Sequence, residues 1–387
     1  MTPAARVQAA IGILDRIATG EAAERALTRW ARGARYAGSG DRAAVRDHVF
    51  DAVRRWWSSA ALGGGEDGRA RMIGLLRGMD SRPEDLFIGG AYGPPPLTEA
   101  ETASPLPLDP LTALDCPRWL APELQASLGG DFAPVMERLR TRAPVHLRVS
   151  LSRSSRDAAI LALRADGIDT RPHPLSPTAL EVTDGARRIA GSRAYATGLV
   201  ELQDAASQAV VDAIPLAGAT RILDYCAGGG GKTLAMADRH AALYHAHDAA
   251  PRRMADLPAR ADRAGLQVAR RDTADLRAEP PYDVVVVDAP CSGSGAWRRS
   301  PEGKIRLTPA RLEELRALQA DVLDAAHAHL RAGGALVYAT CSLLESENVV
   351  QARSAAHRLG LVVMSEMRLT PLDDGDGFYC AVLADNS

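Results

Sequence analysis

The chain opens on helical spacing. Val7, Ala10, Ile11, Leu14 and Ile17 recur every three or four residues, and Gly20 is a natural stop. Ala23, Leu27 and Trp30 continue the pattern in a second helix. Gly38-Ser39-Gly40-Asp41 supplies capping-type residues, and Val45, Val49, Val53 and Trp56 line one face of the helix that follows. Residues 93–117 are rich in proline, from Pro94-Pro95-Pro96 to Pro117, and predict a loop or linker. Helical spacing returns from about Trp119 to Arg140. The run 145–151 (VHLRVSL) alternates like a half-buried strand, a helix follows over 155–166, and 180–184 (LEVTD) predicts another strand. These make a small α+β unit between about 140 and 200.

From 205 onward strands and helices alternate. Strand candidates are 221–227 (RILDYCA), 242–248 (ALYHAHD), 267–272 (QVARRD), 282–290 (YDVVVVDAP) and 334–342 (GALVYATCS). Helical stretches lie between them, such as 309–331 with Leu312, Leu315, Leu318, Val322 and Ala325. This alternation implies a parallel sheet covered on both faces, which binds ligands beyond the carboxyl ends of its strands. Every chemically suggestive motif falls at such an end.

Composition narrows the class. The chain has 387 residues, 46% hydrophobic and 24% charged, enough for two or three domains with a sizeable core. A net charge of −2 argues neither for nor against nucleic acid. The first 60 residues hold 10 Arg against 6 Asp and Glu, which suits a solvated helical face or an RNA contact. No run approaches the ~20 apolar residues of a membrane span. No basic-headed leader is recognisable, so no membrane partner and a cytoplasmic location are expected. Cysteines at 116, 226, 291, 341 and 380 form no CxxC pair, which supports neither a disulfide framework nor a metal site. Lysine occurs only at Lys232 and Lys304, and asparagine only at Asn348 and Asn386. Lys232 and Asn348 fall inside the motifs below, and Lys304 lies shortly after one.

The first motif is Asp224-Tyr225-Cys226-Ala227-Gly228-Gly229-Gly230-Gly231-Lys232-Thr233, which follows a strand and opens a helix. Glycines let the backbone approach a ligand closely. A phosphate cradle, a dinucleotide loop, an S-adenosylmethionine site and a plain turn all fit. A P-loop does not, because Cys226 stands where its spacing needs glycine. Asp248 ends the next strand, where an acidic residue commonly binds ribose hydroxyls. Asp272 ends the third strand, within reach of an adenine amino group. Each aspartate alone is a common turn or cap residue.

Two further strands each end in a cysteine. Asp288-Ala289-Pro290-Cys291-Ser292-Gly293-Ser294-Gly295 follows VVVV, and Thr340-Cys341-Ser342 follows GALVYA. A buried cysteine is usually a small hydrophobe. One just past a strand end, among serine and glycine, is a better nucleophile candidate. A thiolate suits methylation of a pyrimidine, because adding it to carbon 6 makes carbon 5 enamine-like and able to accept a methyl group. Asp288 suits the amino group or protonated ring nitrogen of the base. Such a base must be splayed out of its stack.

These segments resemble the bacterial ribosomal RNA 5-methylcytosine methyltransferases, which share a superfamily (Rsm/Nop/Sun) with the eukaryotic nucleolar Nop/Sun proteins. The family's D-x-C-A-A-P-G-G-K-T stands here as DYCAGGGGKT, its D-A-P-C-S-G-x-G as DAPCSGSG, and its T-C-S with a following E-N as TCSLLESEN. GLVELQDAASQ (198–208) resembles the entry to the catalytic domain, and DGFYCAVL (376–383) its closing strand. The resemblance spans roughly 117–383. It implies a Rossmann-like class I S-adenosylmethionine-dependent methyltransferase fold, α/β with a mostly parallel seven-stranded sheet. Four segments follow: a helical, shortened antitermination-factor-like RNA-binding domain over 1–65; a loop or linker over 66–116; a small α+β, RRM-like unit over 117–200; and the catalytic domain over 201–387.

The resemblance also implies roles. Cys341 would be the nucleophile, and Cys291 would assist release of the methylated RNA. Asp288 and Lys232 would complete the catalytic group. Cys226, Ala227, Gly228, Gly229, Gly230, Gly231, Lys232, Asp248, Arg253, Asp272 and Asp288 would contact S-adenosylmethionine or the target base. The implied activity is rRNA processing: RNA cytosine-5 methylation, on small-subunit ribosomal RNA, by a monomer without metal. Two positions depart from the family pattern. Gly228-Gly229 replaces Ala-Pro, which predicts a more flexible loop, and Ser150 replaces the asparagine of LRVN.

Four other readings compete. A transfer-RNA cytosine-5 methyltransferase would share every motif. DNA cytosine methyltransferases place their nucleophile in the proline-cysteine motif, and the TCS segment separates them. A nicotinamide-dependent oxidoreductase leaves both cysteine motifs unexplained. A non-catalytic ribosome-assembly RNA-binding factor would not need both cysteines intact.

Overall fold

A computed structural model describes residues 1–385. The chain forms two compact units, one of residues 1–142 with 297–307, the other of 143–296 with 308–385.

The first unit is helical. Helices Pro3–Ala18, Ala23–Gly33 and Ser39–Arg54 bury Val7, Leu14, Leu27, Val45 and Val49 in one core. Asp41 accepts from the Gly38 N–H at 3.2 Å, which satisfies the start of the third helix. The stretch expected as a linker differs. Helix Gly68–Gly78 lies within 66–116 and sends Met72, Ile73, Leu75 and Leu76 into the same core. Its glycines are contact points: a Cβ on Gly74 would stand 1.8 Å from the carbonyl oxygen of Ser59. The helical run from Trp119 to Arg140 divides into Ala121–Leu128 and Phe132–Leu139, broken at Gly129-Gly130, and belongs to this unit. Lys304 is buried here too. It donates to the Arg54 carbonyl at 2.9 Å, and burial pushes its ammonium down to about 8.

The second unit holds two sheets. The smaller comprises β1 (Val145–Val149), β2 (Asp169–Pro172), β3 (Ala179–Asp184) and β4 (Val200–Leu202), in the order β2-β3-β1-β4. All its pairings are antiparallel, with a helix, Arg156–Ala165, crossing between β1 and β2. This is a split β-α-β arrangement. Ser150, at the departure from the family pattern, is used differently: its hydroxyl donates to Asp238 Oδ1 at 2.7 Å. Asp238 also accepts from Leu151 N at 2.8 Å and Ser152 Oγ at 2.5 Å, so one buried carboxylate ties the small sheet to the helical layer beside the large one.

The larger sheet is seven-stranded: β5 (Arg221–Asp224), β6 (Leu243–Ala246), β7 (Ala269–Arg270), β8 (Tyr282–Asp288), β9 (Leu330–Thr340), β10 (Val362–Leu369) and β11 (Phe378–Ala384), in the order β10-β11-β9-β8-β5-β6-β7. Strands β5 to β9 pair in parallel, while β11 runs antiparallel between β9 and β10. The VVVV run explains the layers. Val284 and Val286 pack with Val210 and Met236 on one face, and Val285 and Val287 pack with Leu323 and Ala352 on the other. β10 escapes the periodicity of the sequence because it is an edge strand, with Ser365, Glu366 and Arg368 exposed and a bulge between Val363 and Ser365.

Replacing Asp238 with alanine strands four donors, the Ser150 and Ser152 hydroxyls and the Leu151 and Ser152 N–H groups. Asp238→Ala is expected to lower unfolding stability by about 2–4 kcal/mol, read as a shifted urea midpoint. An unchanged midpoint would refute the tie.

Candidate active site

The loop after β5 turns through Gly228, at φ +51°, and Gly230, at φ +77°, both in the left-handed region that favours glycine. A Cβ on Gly230 would meet Leu257 Cδ1 at 2.2 Å. Cys226, Ala227, Gly228, Gly229, Gly231, Lys232 and Asp288 line one cavity with Asp224. Arg253, also named from the sequence, lines it too, and Gln203, Ser207 and Arg260, none of them singled out from the sequence, complete it.

Charge in this cavity is mixed: Asp224 and Asp288 stand against Lys232, Arg253 and Arg260. Asp224 is buried; its Oδ2 accepts from Thr233 Oγ1 at 2.6 Å, and its Oδ1 has no hydrogen-bond partner. Burial, helped by Asp288, pushes its carboxyl up to about 6. Lys232 Nζ donates to Asp288 Oδ2 at 2.7 Å and lies 4.9 Å from the Phe378 ring. Burial opposes the charge on Lys232, but Asp288 more than offsets it and the ammonium is held above its ordinary range. Burial and the carboxylates of Asp224, Asp288 and Asp248 push the Cys226 thiol up. It is therefore a poor nucleophile.

Asp248 lies beneath the loop. Its Oδ2 accepts from Gly228 N at 3.0 Å and from Arg253 Nη1 at 3.1 Å. Asp272 does something else: it caps helix Thr273–Ala278, accepting from Asp275 N at 2.8 Å, and is exposed outside the cavity lining.

The two cysteine loops come together. β8 and β9 are parallel neighbours with Asp288 beside Ala339, so both chains leave the sheet at one rim. Cys291 Sγ and Cys341 Sγ stand 3.5 Å apart. Gly295 N donates to the Cys341 carbonyl at 3.0 Å, and Gly377 N donates to the Gly295 carbonyl at 2.9 Å. A Cβ on Gly295 would lie 2.1 Å from the Gly377 carbonyl oxygen, so only glycine allows this closure. Cys291 is held well above the ordinary thiol range, first by its hydrogen bond with Cys341 and then by burial. Asn348 braces the second loop, donating through Nδ2 to the Ser342 carbonyl at 2.9 Å.

Similarity to known proteins follows the same residues. The family model described as 16S rRNA methyltransferase RsmB/F matches 213–384, and that of the RsmF/B-like ferredoxin-like domain matches 116–187. The chain belongs to the RsmB/F methyltransferase family. A ribosomal RNA small subunit methyltransferase B of Xanthomonas campestris is 34% identical over 250 residues, covering 62% of this chain and 57% of its own. One from Citrobacter koseri is 32% identical over 282 residues, covering 69% and 66%. The chain thus spans less than two thirds of these curated relatives. Among solved structures, PH0851 aligns with a TM-score of 0.78 at 20% identity, covering 100% of this chain and 99% of that one. A methyltransferase homolog from Pyrococcus horikoshii gives 0.63 at 23%, covering 72% and 98%. At these identities the structures speak for the fold alone.

Within an RsmB/F frame, the cavity offers the groups that S-adenosylmethionine needs: carboxylates for its amino group and hydroxyls, and cations for its carboxylate. The partnerless Asp224 Oδ1 is an acceptor waiting for a donor, and Asp248 is a second carboxylate close by. Among the described residues no cluster suits a metal ion, and no helix is long and apolar enough to cross a membrane.

Because the folded carboxyl of Asp224 titrates near 6, above the ~3.9 of an unfolded aspartate, its contribution favours folding below about pH 4 and is lost as pH rises through 6. Asp224→Asn is expected to gain stability relative to the parent between pH 4 and 7, by up to about 3 kcal/mol. Denaturant midpoints at the two pH values measure it, and a difference independent of pH would contradict it.

Proposed function

We propose that this chain transfers a methyl group from S-adenosylmethionine to carbon 5 of a cytosine in RNA, with small-subunit ribosomal RNA as substrate. The pair of thiols 3.5 Å apart at the rim of the sheet carries the reading. The names of the curated relatives support the choice of RNA.

When bound, S-adenosylmethionine supplies an electrophilic methyl group. Asp224, Asp248 and the backbone of 226–231 would hold it. Cys341 adds through Sγ to carbon 6 of a flipped cytosine, giving carbon 5 enamine character. Asp288 accepts from the exocyclic amino group or the protonated ring nitrogen, and Lys232 holds that carboxylate in place. Once carbon 5 is methylated, a base removes its proton, the electron pair returns through the ring, and the bond to Cys341 breaks. Cys291 assists this release, its thiol placed to hydrogen-bond the departing sulfur. The arginine-rich helices of the first unit would add phosphate contacts.

Cys341→Ala is expected to reduce methyl transfer to transcribed small-subunit ribosomal RNA by at least ~10³-fold while S-adenosylhomocysteine binding by calorimetry is unchanged. Retained activity would remove Cys341 from the nucleophile role. Cys291→Ala is expected to accumulate a protein–RNA adduct that survives denaturing electrophoresis; lost activity without an adduct would make Cys291 structural. Bisulfite sequencing of ribosomal and transfer RNA from cells lacking the gene identifies the target, and transfer RNA losing its mark instead would redirect the substrate.

A further inference from the structure

The reaction scheme uses the two thiols in turn, yet the structure holds them together. Cys291 Sγ and Cys341 Sγ are 3.5 Å apart, and both cysteines are free and partly exposed. Sulfurs at that distance touch. A bond between them needs a further approach of about 1.5 Å, within the reach of side-chain rotation. The two loops are also fastened to each other just past the sulfurs. Ser292 follows Cys291 and Ser342 follows Cys341. Their hydroxyl oxygens are 3.3 Å apart, and both hydroxyls donate to Oε2 of the buried Glu347. Ser294 Oγ accepts from Leu343 N at 2.8 Å, and Gly295 N donates to the Cys341 carbonyl at 3.0 Å. These contacts keep the sulfurs side by side and stop the loops from drifting apart.

We propose that Cys291 and Cys341 form a reversible disulfide when the protein meets a hydroperoxide, which stops methyl transfer and spares both sulfurs from irreversible oxidation. In the first step one thiol attacks hydrogen peroxide. The O–O bond breaks, the sulfur becomes a sulfenic acid, and water leaves. In the second, the neighbouring thiol attacks that sulfur. The S–O bond breaks, the S–S bond forms, and a second water leaves. The two thiols give up two protons and two electrons, and the peroxide takes them all. The second step joins sulfurs already in contact, so it outruns further oxidation of the sulfenic acid. Once joined, neither sulfur can add to carbon 6 of a base. A small thiol reverses the bond by exchange. The modification rests on the geometry of the pair; only its effect on methyl transfer rests on the proposed reaction.

The test uses the full chain, freshly reduced and then treated with a modest molar excess of hydrogen peroxide. Remaining thiols are blocked with N-ethylmaleimide, and the protein is digested without reductant for peptide mass spectrometry. The parent is expected to yield the peptides of Cys291 and Cys341 joined by a disulfide. Dithiothreitol is expected to separate them and to return most of the methyl transfer that peroxide removed. Cys291→Ser leaves Cys341 without its partner thiol. The same treatment is expected to carry Cys341 to sulfinic or sulfonic acid at least ~10-fold more than in the parent, beyond rescue by dithiothreitol. Absence of the joined peptide in the parent overturns the proposal. So does a disulfide from either cysteine to Cys116, Cys226 or Cys380 in its place, or equal overoxidation of Cys341 in parent and folded variant. If Cys291→Ser does not fold, the joined peptide in the parent decides alone. A reduced parent that shows the joined peptide after peroxide but never methylates RNA refutes the reaction scheme and leaves the disulfide standing.

Discussion

The candidate site exists because β8 and β9 lie side by side in parallel. Parallel neighbours end at the same edge of a sheet, ~4.8 Å apart, whereas antiparallel ones would send their carboxyl ends to opposite edges. Asp288 pairs beside Ala339, so Cys291 and Cys341 each leave the sheet within three residues of the same rung. Strand pairing alone does not bring the sulfurs into contact. That final approach depends on Gly295 and Gly377, whose backbones touch where any side chain would collide. The loop carrying Cys291 is thereby hydrogen-bonded to the Cys341 carbonyl on one side and to the start of β11 on the other. The antiparallel last strand, an exception in the sheet, closes this arrangement.

Electrostatics then sorts five cysteines that the composition leaves equivalent. Burial pushes Cys116 up to about 11 and Cys380 up to about 12, and Cys226 sits among carboxylates. These are thiols that are buried or, for Cys226, line the cavity among carboxylates, with little nucleophilic character. Lys232 adds the opposite influence where it matters. Its ammonium is buried, anchored on Asp288 and set near the Phe378 ring. The cavity around it carries both signs, with Asp224 and Asp288 facing Arg253 and Arg260.

Much of this was legible from the chain. Strand ends, the glycine loop and both cysteine motifs are visible because a buried parallel strand is a run of valines with a sharp polar stop. Lys232 and Asn348 stood out as rare residues, and both are buried in the unit that holds the two sheets; Lys304, equally rare, is buried in the helical unit instead. Other features were hidden for physical reasons. The helix at Gly68–Gly78 reads as a loop because its glycines serve close packing, a use that local propensity does not reveal. Asp272 occupies a strand end yet spends its carboxylate on the helix that follows. Glu347 sits in a polar run, LLESEN, that looks solvent-exposed, and only the fold shows it enclosed by donors from two distant segments.

The Gly228-Gly229 replacement shows how a departure from a family pattern can be absorbed. Two glycines in place of Ala-Pro raise the entropy of the unfolded loop, at roughly 0.5–1 kcal/mol each. The folded loop is not held by ring constraint. Asp248 accepts the Gly228 N–H, and Arg260 donates to the Gly229 carbonyl. Hydrogen bonds to charged groups contribute about 1.5–3 kcal/mol apiece, enough to offset the lost rigidity. Gly228 also adopts φ +51°, a conformation that strains alanine. The flexible loop expected from the glycines is thus a braced turn, with its rigidity moved from the backbone to two side chains outside the motif.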